Sequence, residues 1–239
     1  MMTAPHHERA KIPFLHTYQL YGMYIDMPRP TKHHPERGGA RTRLLDAAVD
    51  MIRAKGFAAT SVDELCQTAA VTKGSFFHHF KSKEELGVAA ARHWAETTSA
   101  FFAVAPYHAH DDPLDRVLAY VAFRKSIIVG ELAEFTCLVG TMVQEVYAQS
   151  PAIRDACGDS IFGHASTLEA DIDAAIKNRG VKGDWTADSL ARHTQTVIQG
   201  AFVLAKAANN PALARESLDH LDRYIRLLFE RPNMEQVTP

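Results

Sequence analysis

VTKGSFFHHFKSKEEL, residues Val71 to Leu86, is the stretch whose reading decides the fold. A helix that only fills a core has no use for basic and hydroxyl groups, and one that is only a solvated face does not carry three phenylalanines. Phe76 and Phe80 stand four residues apart and share one helical face, so they anchor it on a core. Lys73, Ser75, Phe77 and His78 occupy other angular positions and are left to meet something negatively charged. Gly74 has no Cβ, which allows close backbone approach at some cost in helix propensity.

The surrounding punctuation is helical. Arg41 to Lys55 places Leu45, Val49 and Ile52 on one stripe, with Leu44 and Ala48 beside it, and stops at Gly56. Ser61 and Glu64 form a capping box that opens a short helix to about Ala69. Thr72 caps the next, about Lys73 to His79. Ser82 and Glu85 form a second box before a longer helix towards Val104. Asp112-Pro113, Ser150-Pro151 and Asn210-Pro211 each read as an N-cap followed by proline at the first helical position. Gly180 ends a helix begun near Asp159, and Thr186 caps one running to about Ala208. The expectation is an all-α chain of nine or ten helical pieces, with no alternating strand pattern.

Charge is divided along the chain. The net charge is −2, but residues 27–92 hold 11 Lys+Arg against 7 Asp+Glu, and residues 93–239 hold 13 against 19. A basic third beside an acidic remainder suits a nucleic-acid reader joined to a different kind of domain. The domain reading is a flexible arm over 1–39, a small basic helical unit over 40–86, a larger helical bundle over 87–232, and a tail over 233–239; the family resemblance given below implies DNA binding for the first unit and effector binding and dimerisation for the second. Within the arm, Met1 and Met27 both remain possible starts. Arg29, Lys32, Arg37, Arg41 and Arg43 are either a solvated tail or minor-groove contacts. No apolar run approaches the roughly 18 residues of a membrane span, so no membrane partner is expected. Three cysteines without a CxxC fit a reducing cytoplasm.

Short helices joined by the tight Ala69–Thr72 turn make a helix-turn-helix, whose second helix lies in the major groove of DNA. Lys83, in the first turn of the following helix, is placed to hold a phosphate. GFAATSVDELCQTAAVTKGSFFHHFKSKEEL, Gly56 to Leu86, closely resembles the signature of the TetR family of bacterial regulators. That resemblance implies a homodimer that binds an operator in double-stranded DNA, with a C-terminal domain for a small-molecule effector. It implies phosphate contact from Ser61 and Lys83, and recognition-helix contacts from Thr72, Lys73, Gly74, Ser75, Phe77, His78 and His79. Phe77 stands where the family very often has tyrosine, so only apolar contact with sugar or a thymine methyl remains there. CLVGTMVQEV (Cys137 to Val146) and IQGAFVLAKAA (Ile198 to Ala208) resemble the branch responsive to acrylate-like compounds or reactive electrophiles.

The remaining candidates are weighed residue by residue. The effector candidates are Trp94, Tyr120, Phe123, Arg124, Cys137, Gln144, Tyr147, His164 and Trp185, the polar or aromatic positions on otherwise apolar helices. Cys137, on a helix expected over about Leu132 to Gln149, is by default a buried inert thiol; Arg124 and Lys125 would lower its pKa if they approached. Gly200, Ala201, Ala205 and Ala208 permit close helix approach across a two-fold, with the helix ending at Arg179 as partner. His108 to Asp112 (HAHDD) reads as a polar loop, and adjacent His78 and His79 diverge by about 100° on a helix. No Ser/His/Asp set, phosphate loop or metal-ligand spacing appears, so neither catalysis, cofactor nor metal is expected.

Overall fold

The computed structural model describes residues 17–20, 23–26 and 39–230. Eleven α-helices run through the last of these stretches: α1 Ala40–Lys55, α2 Val62–Thr68, α3 Lys73–His79, α4 Lys83–Ala103, α5 Pro113–Ser126, α6 Leu132–Phe135, α7 Leu138–Val146, α8 Pro151–Ser166, α9 Glu169–Arg179, α10 Ala187–Ala208 and α11 Pro211–Glu230. Ahead of them is a feature absent from the sequence reading, an antiparallel pair of β1 Thr17–Leu20 and β2 Met23–Asp26, with Thr17 opposite Asp26. Arg29, Lys32, Arg37, Met1, Met27 and the tail beyond residue 232 lie outside the described residues.

The expected caps hold the short helices. Ser61 Oγ accepts from the Glu64 amide at 3.2 Å while the Ser61 amide donates to Glu64 Oε2 at 3.0 Å. The turn out of α2 is a Schellman closure: the Val71 amide donates to the Cys66 carbonyl at 3.0 Å, and Ala70 takes the left-handed conformation. Thr72 Oγ1 caps α3 at the Ser75 amide. At Ser82 the expected reciprocal box is only half made. Its hydroxyl caps Glu85, but the Glu85 carboxylate reaches back to the Lys81 amide instead.

Two expected helices are broken. The segment expected over Leu132 to Gln149 is interrupted at Thr136, whose extended backbone turns its carbonyl to Arg53 Nε at 2.8 Å. Cys137 then caps α7, its Sγ accepting the Gly140 amide at 3.4 Å. The helix expected from Asp159 to Gly180 is two. Ser166 and Thr167 hydroxyls donate back to the Gly163 and His164 carbonyls, and the chain turns to bury Leu168.

Two apolar cores result. The first joins α1, α2, α3 and the start of α4 to Leu138, Val139 and Met142 of α7 and Ile153, Ala156 and Cys157 of α8. The second packs the end of α4 with α5, α9, α10 and α11. Helix α4 crosses between them, giving Leu86, Ala90 and Ala91 to one and Phe102 to the other. Glu145 ties α7 to the turn after α1 by accepting the Phe57 and Ala58 amides at 3.1 and 2.8 Å. Gly56 has φ +92°, a conformation that favours glycine, and a Cβ there would push the Glu145 carboxylate off those amides. No helix among the described residues is long and apolar enough to cross a membrane.

Phe76 is fully buried and Phe77 is 52% exposed, one residue apart on the same short helix. Phe76→Ala is therefore expected to cost about 3–5 kcal/mol in chemical denaturation. Phe77→Ala should fall within about 0.5 kcal/mol of the parent.

Candidate nucleic-acid interface and ligand cavity

Helix α3 is pinned by its aromatic face. The Phe76 and Phe80 rings lie 5.8 Å apart in the first core, and Phe77 stands edge-on to Phe76 at 5.2 Å with its far side in solvent. Lys73 and His78 are exposed beside it, and Ser75 and His79 are half-buried. Lys73 Nζ lies 2.8 Å from Asp63, with both side chains more than half exposed. A pair this exposed is weak, so it yields readily to a phosphate. A Cβ on Gly74 would meet only Thr72 Oγ1 at 3.7 Å; nothing inside the chain requires glycine at this position.

Other sequence candidates are already engaged within the chain. The Ser61 hydroxyl donates to Glu64 Oε2 at 2.7 Å, and Thr72 Oγ1 is committed to its cap. Lys83 Nζ donates to the Ala58 carbonyl at 3.2 Å and sits 4.5 Å from the Phe57 ring centre; burial holds its pKa below the ordinary lysine value. Arg43 Nε donates to the Ala69 carbonyl at 3.0 Å, and the Arg41 guanidinium covers Phe80 at 5.5 Å. Lys73, Phe77 and His78 are thus the exposed side chains of α3, while Lys83, Arg41 and Arg43 are held by contacts within the chain.

A cavity of about 110 Å³ lies where the two cores meet. Of the sequence candidates, Trp94, Arg124, Cys137 and His164 line it. Tyr120 is fully buried behind it, receiving Gln195 Nε2 at 2.8 Å and lying 2.9 Å from His164 Nε2. Phe123 belongs to the second core, as does Trp185, whose ring meets Phe229. Gln144 lines a separate cleft with Thr141 and Lys206, and Tyr147 is exposed. His108 and Ala109 close the 3₁₀ turn Pro106–Ala109, and the bend after it ends in the α5 cap, where Asp112 accepts the Leu114 and Asp115 amides.

The reading from sequence missed Arg53, Phe102, Gln195, Gln199 and Phe202, which also line the cavity. A signal existed for two of them. Arg53 continues the Leu45–Val49 stripe of α1, and Gln195 follows Ala191 by four on the buried side of α10. Arg53 is 4% exposed, and its guanidinium stacks on Trp94 at 4.9 Å.

The small residues chosen for a dimer face divide. Ala201 and Ala205 are turned into their own second core, because α10 packs that stripe against α11. Gly200 and Ala208 are exposed, and the outward apolar groups are Val203 and Leu204 of α10 with Tyr224 and Leu227 of α11.

Residues 44–90 match the family model for bacterial regulatory proteins of the TetR family, and residues 113–221 match the tetracycline repressor-like C-terminal domain model. The transcriptional regulator AcuR of Cereibacter sphaeroides is 26% identical, over 74% of this chain and 81% of its own length. The transcriptional repressor DhaR of a Mycobacterium species is 24% identical over 84% and 98%. Among solved structures, reduced NemR of Escherichia coli superposes with a TM-score of 0.66 at 25% identity, covering 77% of this chain and 95% of that one.

Burial, with Arg124 close by, pushes the His164 pKa down from 6.5 to about 3. The unfolded chain therefore takes the proton first as pH falls, and stability declines from about pH 6.5 towards 3, by about 1.4 kcal/mol per unit. His164→Gln keeps an acceptor for Tyr120 without the titration. Between pH 7 and 5 the parent should lose about 2 kcal/mol relative to that variant, read by urea denaturation at each pH.

Proposed function

The chain belongs to the TetR family of bacterial regulatory proteins and is a DNA-binding transcriptional regulator; we propose that it acts in the cytoplasm as a homodimeric repressor released from a pseudo-palindromic operator by a small molecule. The observation that carries this reading is α3. One face is fixed in the core by Phe76 and Phe80, while Lys73, Phe77 and His78 stay exposed on the other. Two such helices read half-sites about 34–36 Å apart, one turn of duplex.

The exposed apolar groups on α10 and α11 support pairing of two copies. Val203, Leu204, Tyr224 and Leu227 lie on neighbouring helices, and the Tyr224 ring meets His193 of α10 at 5.1 Å, so the two faces are continuous. Gly200, with nothing within 4 Å of a Cβ position, leaves room for close approach on that face.

The cavity supports effector control because Arg53 belongs to it and to α1 together. A ligand that shifts Arg53 against Trp94 and the Thr136 carbonyl moves the helix on which α3 rests. To release DNA, the effector must prefer the non-binding arrangement, with a coupling of about 1–3 kcal/mol.

An electrophoretic shift with DNA from upstream of the chain's own gene tests the assignment. Lys73→Ala should weaken binding about tenfold and flatten the salt dependence by about one unit of slope, with the melting temperature unchanged. Gly74→Ala should leave the free protein as stable or up to about 1 kcal/mol more so, yet bind the operator less tightly. Unchanged affinity in both variants would contradict the placement of α3 in the groove.

A further inference from the structure

Asp63 is the misplaced charge of the helix-turn-helix. In that motif the helix before the reading helix crosses the phosphate backbone, where cations and neutral donors make the contacts. Helix α2 opens instead with two carboxylates, Asp63 and Glu64. Glu64 is committed inside the chain: it accepts the Ser61 amide and hydroxyl on one oxygen and pairs with Lys55 on the other. Asp63 takes no part in that cap, because Ser61 and Glu64 close the box between themselves. Its side chain is 74% exposed, and its partner is Lys73 Nζ at 2.8 Å.

The pair reaches across the turn from α2 to α3. Lys73 carries the only lysine or arginine charge of α3, so the reading helix presents its one permanent cation already neutralised. With both side chains more than half in water, the pair adds little to folding. Its consequence lies in binding. Any duplex that takes Lys73 must first strip it from Asp63, and then leaves a bare carboxylate facing phosphates, a like-charge contact. Binding to non-operator DNA consists almost wholly of phosphate contacts, and there the register slides until each cation finds a phosphate. On the operator, base contacts hold the register, and a freed lysine gains only what that register offers.

From this geometry we propose that Asp63 is a specificity-determining residue: it competes with DNA for Lys73, and so suppresses binding to non-operator duplex more than binding to the operator. The proposal rests on reading α3 as the helix in the groove, and it adds a residue of α2 that sets how selectively that helix binds.

The test uses the full chain in fluorescence anisotropy titrations at several salt concentrations. One labelled duplex comes from upstream of the chain's own gene, and the other is a shuffled duplex of the same composition. Asp63→Asn keeps the shape of the side chain and removes its charge. It should bind the shuffled duplex about two- to fivefold tighter per reading helix, hence about four- to twenty-fivefold for a homodimer. The salt dependence should steepen by up to about one unit of slope per helix. The upstream duplex should gain less, so the ratio of the two affinities falls. Asp63→Glu, which keeps the charge, should restore most of that ratio. In a Lys73→Ala background the gain from Asp63→Asn should shrink, since the cation it releases is gone. The melting temperature of the free Asp63→Asn chain should stay close to that of the parent.

Equal tightening on both duplexes, no change on the shuffled one, or a gain undiminished in the Lys73→Ala background would each overturn the proposal. Failure of the underlying reading looks different, because Lys73→Ala alone would then leave binding to the upstream duplex unchanged. If Lys73→Ala weakens that complex while Asp63→Asn alters neither duplex, α3 keeps its place in the groove and only the role of Asp63 falls.

Discussion

A helix of seven residues cannot hold itself in water, because nucleation costs more than so few backbone hydrogen bonds return. Helix α3 exists because Phe76 and Phe80 are buried against α1 and α2, with Thr72 closing its first turn. That one act of burial fixes the rotation of the helix, and the rotation decides that Lys73, Phe77 and His78 point outward. The surface proposed to meet DNA is the other side of a packing contact. Phe77 shows the division most sharply, since it touches Phe76 with its edge and offers the remainder to solvent.

The same core shows how the cavity is joined to α3. The first core is completed by α7 and α8, so the DNA-binding unit is not an independent bead on a string. Two polar contacts reinforce the join at either side of the α1 C-terminus: Arg53 with the Thr136 carbonyl, and Glu145 with the Phe57 and Ala58 amides. A buried guanidinium is an intolerant element, since stripping it of its partners costs several kcal/mol. A ligand of the kind proposed, competing for Arg53 or its ring partner Trp94, would act directly on α1, without a long chain of intermediaries.

Much of this was legible from residue order. Ser61-x-x-Glu64, Thr72, Gly56, Gly180 and the three X-Pro starts mark ends of helices, because capping is a local transaction between neighbours in sequence. The exposed stripe of α3 was legible for the same reason, as Phe76 and Phe80 share a face by spacing alone. What was not legible depends on partners far along the chain. The break at Thr136 is made by Arg53, 83 residues away, and the turn at Thr167 by the need to bury Leu168. Small residues on α10 say only that something approaches closely; Ala201 and Ala205 meet their own core, and Gly200 faces out. The cavity is assembled from α1, α4 to α8 and α10, so spacing could name Arg124 and His164 as polar misfits but could not show that they line one cavity.

The most direct measurement of the central claim is fluorine NMR of the full chain carrying 4-fluorophenylalanine, with the Phe76 and Phe77 signals assigned by single replacement. On addition of DNA from upstream of its own gene, the account predicts that the Phe77 resonance shifts or broadens while that of Phe76 holds its position. A Phe76 signal that moves while Phe77 stays still, or two signals that both ignore a duplex the protein demonstrably binds, would contradict it.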